Sequence, residues 1–245
     1  MKKRTKILLG VVVALLVLLS GGWFYLRSQI HQPQPVAETA AKQASTTQPE
    51  LIFKSKLTTT PMVVFYPGAL VEPASYSVWA KQVAAAGYPV YIVRFPMDLA
   101  VLAPNKADHV LKESKRDYVI GGHSLGGVIA SRYAQQNQER LKGVFFLASY
   151  PDAKGSLRST VLPVLSITAS RDGVLDQSAY RKAKRNLPKR TKYVQIKGGN
   201  HAGFGNYGKQ KGDHTATISN QAQQKQVAQN LIKWLKGINK KENPM

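Results

Sequence analysis

The side chains in this sequence best suited to breaking bonds are one serine, two aspartates and a histidine. Ser124 sits in YVIGGHSLGG, residues 118–127, between paired glycines on both sides. A serine hydroxyl is a weak nucleophile until a base takes its proton, and the base needs a third group to orient it. Of the five histidines, His201 directly follows a β-patterned run, in GGNHAGFGNYG. His214 lies in a polar loop with no strand before it, and His31 in a Gln- and Thr-rich stretch. His109 belongs to a helix–loop stretch, and His123, next to Ser124, points elsewhere and packs inside the turn. For the orienting acid, Asp172 in SRDGVLD stands just past another β-patterned run, with Asp176 in reserve. No two histidines have metal-ligand spacing backed by carboxylates, so neither metal nor cofactor is expected.

Those residues need a scaffold that gathers loops at one edge. Short apolar runs at 61–68, 88–96, 118–122, 143–151, 162–170 and 192–199 read as strands. Helical spacing over 75–87, 126–137, about 176–187 and about 219–238 alternates with them, and Val227, Leu231, Trp234 and Ile238 share one face of the last. Several strands are continuously apolar, as in a sheet covered on both faces. The alternation predicts an α/β fold with a mostly parallel, doubly wound sheet flanked by helices. Ligands in such sheets bind beyond the carboxyl ends of the strands. Ser124, Asp172 and His201 all fall in loops that follow strands.

Gly122, Ser124 and Gly126 form G-x-S-x-G between a predicted strand and a predicted helix. A turn that sharp leaves no room for a β-carbon two positions either side of the serine. The stretch GGHSLGG resembles the nucleophile elbow of the alpha/beta-hydrolase superfamily, and the resemblance extends over roughly residues 60–238. It implies the chain order serine, acid, histidine, which Ser124, Asp172 and His201 satisfy. It also implies an oxyanion hole from two backbone N–H groups. One belongs to Leu125; the other comes from the loop FYPGAL, where the superfamily usually has His-Gly and this chain has Pro67-Gly68. The expected second donor is Ala69, with Gly68 as the alternative. Only about a dozen residues separate the runs at 143–151 and 162–170, too few for a cap domain. The small, capless dienelactone-hydrolase-like and esterase-like members are the nearest in kind. They imply cleavage of carboxylic esters, small or lipid-like, through an acyl-enzyme.

The N-terminus carries a different signal. MKKRTK precedes an uncharged stretch at 7–26, long enough to span a bilayer and ending near Trp23 and Tyr25. Residues 1–27 therefore read as a cytoplasmic tip and membrane anchor, with a cleaved signal peptide, and hence secretion, as the competing reading. The basic flank places the N-terminus in the cytoplasm and the rest of the chain outside. Residues 28–50 read as a flexible stalk and 51–245 as the folded domain.

With 35 Lys and Arg against 13 acids, the net charge of +22 suits an anionic surrounding. It motivates a second reading, an acyltransferase or deacylase acting on an anionic envelope polymer. A non-catalytic binding module on a hydrolase scaffold is a third. Basic residues at 181–192 have one aromatic on each side, Tyr180 and Tyr193, too few for base stacking, so nucleic acid is not an expected partner. The absence of cysteine excludes disulfides, a thiol nucleophile and a lipid-modified cysteine.

Overall fold

The computed structural model describes residues 3–242 apart from 48, 58 and 113. In chain order its elements are α1 (Lys3–Ser28), α2 (Pro35–Ala41), β1 (Ser45–Thr46), β2 (Glu50–Phe53), β3 (Met62–Tyr66), α3 (Ser77–Ala85), β4 (Val90–Val93), α4 (Ala107–Lys112) and β5 (Tyr118–His123), followed by α5 (Leu125–Gln136), β6 (Leu141–Leu147), β7 (Val164–Ala169), α6 (Gln177–Ala183), β8 (Lys192–Ile196) and α7 (Asn220–Glu242). The strands form one sheet in the order β1-β2-β4-β3-β5-β6-β7-β8. From β4 to β8 every pairing is parallel, and β1 and β2 add an antiparallel edge.

Side-chain alternation along the strands divides the core in two. From β3, Val63 and Phe65 pack toward α3 and α7, where Phe65 meets the Trp79 ring edge-on at 4.9 Å. Met62, Val64 and Tyr66 face the other way, toward α4 and α5. All five β3 residues are buried because helices cover both faces. The apolar stripe expected on the last helix is present: Val227, Leu231, Trp234 and Ile238 of α7 are all buried. Truncating a buried Trp or Phe to Ala costs about 3–5 kcal/mol, so Trp79 and Phe65 are among the side chains that hold this face shut.

After β3 the chain builds outward through β4, then returns across β3 to start β5 and continues the opposite way. The strand order reverses between β3 and β5, which opens a crevice at their carboxyl ends. Residues 148–163, between β6 and β7, hold turns and no helix, as the sequence predicted for a capless domain.

The expected stalk is a correction. From His31 onward the segment lies on the domain: α2 packs beside α3 with Ala37 fully buried, and Ala41 and Ala44 rest on the α3–α7 core. Its composition lacks large apolar side chains, but alanines allow close approach to a surface already formed, and Pro35 starts the helix at its first turn. The fold therefore begins some twenty residues before position 51. Ahead of it, Leu8–Ser28 of α1 is long and apolar enough to cross a membrane, and none of that stretch is buried against the domain.

Candidate active site

Ser124 follows β5 directly and adopts φ 51°, a left-handed backbone that a non-glycine residue holds only when its surroundings impose it. Its N–H donates to the Leu147 carbonyl (3.1 Å) and its carbonyl accepts from the Ser149 hydroxyl (2.6 Å). The two elbow glycines have separate reasons. A β-carbon on Gly122 would run into the backbone of Gly126 and Gly127, and one on Gly126 into the carbonyls of Tyr66 and Pro67. The second contact presses the loop after β3 against the elbow, helped by a register that sets Tyr66 level with Gly122.

The same loop carries the two amides expected as alternative oxyanion donors, those of Gly68 and Ala69. The Gly68 N–H donates to the Tyr76 hydroxyl at 2.9 Å, and that hydroxyl lies 2.9 Å from His123 Nδ1. Burial pushes the Tyr76 phenol far above its ordinary range, so it stays protonated. Burial, with the charge of His201 adding to it, pushes the His123 imidazole well below 6.5, so it stays neutral. The Tyr76 hydroxyl thus bridges the Gly68 amide and His123 Nδ1. Among the described residues, the amides of Ala69 and Leu125 have no hydrogen-bond partner. They are the pair left free beside Ser124.

At the other end of the rim, β7 and β8 finish level, with Ala169 opposite Ile196. Asp172 and His201 emerge a few residues beyond. His201 Nδ1 lies 2.9 Å from Asp172 Oδ2 and 3.1 Å from Oδ1, and both residues are buried. Asp172 Oδ1 also accepts from the amides of Val174 (2.9 Å) and Leu175 (2.8 Å). Asp176 has a different job: it is exposed and caps α6, accepting from the Ser178 and Ala179 amides. The His201 ring centre is 4.5 Å from that of His123, whose chain neighbour is Ser124. His214 is exposed, and its carbonyl accepts from Asn200 Nδ2. Nδ1 of the exposed His109 lies 3.3 Å from the carboxylate of buried Glu50.

Three positioning residues escaped the sequence reading. Asp213 accepts from the amides of His201 (3.2 Å), Ala202 (2.9 Å) and Gly173 (3.1 Å), so one carboxylate binds the histidine loop to the aspartate loop. Tyr76 fixes Gly68 and His123 together. Gln223, at the start of α7, completes the frame by holding Asn200 through both its amide N–H and its carbonyl. The only sequence signal was a lone acid in a polar loop and a tyrosine ahead of a helix.

The sheet, the elbow and the loops that follow its strands are those of one class of protein. The chain belongs to the alpha/beta hydrolase family, whose model matches residues 62–225. A search of curated protein sequences returns no match. Among solved structures, the chain is similar to an alpha/beta hydrolase enzyme from the metagenome of sediments from the lagoon of Mar Chica, Morocco, at 15% identity and TM-score 0.60, over 80% of this chain and 99% of that one. It is similar to a membrane phospholipase A, a bacterial virulence factor, at 15% identity and TM-score 0.61, over 96% and 99%. Ferulic acid esterase from Streptomyces cinnamoneus matches at 18% identity and TM-score 0.61, over 73% and 67%.

Proposed function

We propose that this protein is a serine hydrolase of carboxylic esters, held by α1 in a membrane with its domain on the outer side. One observation carries the reading: a buried carboxylate–imidazole pair, Asp172 and His201, on the same rim as a serine in a strained turn with two free amides beside it. With Nδ1–H donated to Asp172, the imidazole presents Nε2 as the base. Ser124 Oγ attacks the ester carbonyl carbon while Nε2 takes its proton. The resulting oxyanion is held by the Ala69 and Leu125 amides, the latter at the positive end of the α5 dipole. The intermediate collapses, the C–O bond to the alcohol breaks, and the imidazolium protonates the departing oxygen. A water molecule then repeats the sequence on the acyl-enzyme and releases the acid. The named esterase and phospholipase among structures of this fold support the ester as substrate type.

The charge-based alternative, an anionic polymer as the substrate, is less favoured. The densest cations line a groove at the amino ends of β7 and β8, the rim opposite Ser124. The test is hydrolysis of p-nitrophenyl esters of increasing chain length by the wild type and by Ser124→Ala. The wild type is expected to turn over and the variant to lose at least about 10³-fold; equal rates would end the reading.

A further inference from the structure

The chain that joins α1 to the domain runs over the catalytic rim. From Ser28, the last residue of α1, only three residues lead to His31, at most about 10 Å of extended chain. There the His31 N–H donates to the Leu70 carbonyl (2.7 Å), and the Glu72 N–H donates back to the His31 carbonyl (3.1 Å). Three residues on, the Gln34 N–H donates to the Asn206 carbonyl at 2.8 Å, and the His31 ring packs 5.2 Å from that of Tyr207. Leu70 is the neighbour of Ala69, and Asn206 belongs to the histidine loop. The strap thus ties together the two loops that flank Ser124, and it pins the end of α1 beside them.

The loop after β4 brings apolar surface to the same place. Its Asp98 carbonyl accepts from the Leu70 N–H at 2.9 Å, so it is tied to the oxyanion loop. Just beyond, Val101 and Leu102 are 49% and 57% exposed. The Asp98 carboxyl, pushed up to about 6 by burial, also feels the charge of Arg27 near the end of α1. Trp23 and Tyr25, the residues suited to a bilayer's polar boundary, lie within eight positions of the strap. The polar layer on each side of a bilayer is only about 5–7 Å deep. A tether this short leaves little space between rim and membrane.

We propose that the catalytic rim rests on the membrane surface, with Val101 and Leu102 sunk among the headgroups, and that the ester cleaved is an acyl ester of a lipid in that leaflet. The inference rests on the ester-hydrolase reading and its membrane anchor, and adds the substrate class and the docking face. Confinement at the surface keeps lipid esters at high effective concentration beside Ser124, and apolar side chains at the boundary strengthen the seat.

The cysteine-free chain allows a single environment-sensitive fluorophore to be placed at will. Full-length L102C and V161C, labelled, are reconstituted in vesicles of phosphatidylethanolamine and phosphatidylglycerol with brominated acyl chains. Val161 is fully exposed on the opposite rim. The label at 102 is expected to shift to the blue and be quenched, and the label at 161 to stay water-like. In parallel, a flexible Gly/Ser linker of about 24 residues, with a reach of roughly 27 Å, is inserted between Ser28 and Gln29. The insertion is expected to slow cleavage of a fluorogenic acyl phospholipid about tenfold, with p-nitrophenyl butyrate cleaved as before. A label at 102 that ignores the vesicles, or a linker that leaves the phospholipid rate unchanged, overturns the proposal. Cleavage of the soluble ester alone overturns the substrate class while sparing the hydrolase reading. Cleavage of neither ester overturns it through the hydrolase reading itself.

Discussion

The two rims of one sheet carry opposite chemistries. At the carboxyl ends of the strands, the carboxylates that frame the site each have fixed partners: buried Asp172 holds His201, and Asp213 holds the amides of His201, Ala202, Gly173 and His214. At the amino ends of β7 and β8, a groove of about 1100 Å³ is lined by Arg158, Lys184, Arg185, Lys189, Arg190, Lys192 and Lys233, with no acid among its lining residues. One rim uses backbone hydrogen bonds to hold a geometry; the other displays exposed positive charge to solvent. These seven cations are the densest single part of the net charge of +22, and they lie on the rim away from Ser124.

The sharpest contrast within the catalytic rim is between two aspartates four positions apart. Asp172→Asn is expected to lower kcat for a p-nitrophenyl ester by about 10³–10⁴-fold, because the amide no longer fixes the histidine tautomer. Asp176→Asn should change it less than about threefold, since only a surface cap is altered. The reverse pattern would move the acid to position 176. Next in size, Asp213→Asn should lower kcat about tenfold through misplacement of His201, with urea unfolding reporting a loss of about 1–3 kcal/mol. An unchanged kcat alongside that loss would reduce Asp213 to a purely structural role.

A smaller effect concerns pH. His123 is held neutral when folded, whereas the unfolded chain protonates it below about 6.5, so the unfolded state binds more protons there. Its contribution to stability is therefore present above that pH and falls as the solution is acidified through it. Denaturation midpoints across pH 5–8 check the slope, and His123→Asn should flatten it. The smallest catalytic effect belongs to the far rim. Lys189→Glu with Arg190→Glu should leave kcat/KM for a small neutral ester within about twofold, while weakening retention of inorganic polyphosphate and its salt dependence. A large loss of esterase activity in that variant would erase the division between the rims.

How much of this was readable beforehand depended on whether a constraint was local. Gly122 is forced by backbone contacts within one turn, Gly126 is marked by the same G-x-S-x-G spacing, and post-strand placement marked Asp172 and His201, so the catalytic rim was visible as a pattern of types and positions. The hydrogen bond that occupies the Gly68 N–H was not, because it turns on the Tyr76 hydroxyl reaching back from just ahead of α3. Asp213 was hidden for the same reason: its value lies in amides from two distant loops. The segment at 31–47 was read as a stalk because its alanines bury little surface of their own. They gain contact only from a core built by other residues.

The most direct measurement is the rate and position of covalent capture by a fluorophosphonate, followed by peptide mass spectrometry. The adduct is expected on Ser124, forming at least about 10³-fold more slowly in His201→Ala. An adduct on another residue, or one that forms on Ser124 at the same rate without the imidazole, would contradict activation of this serine by the Asp172–His201 pair.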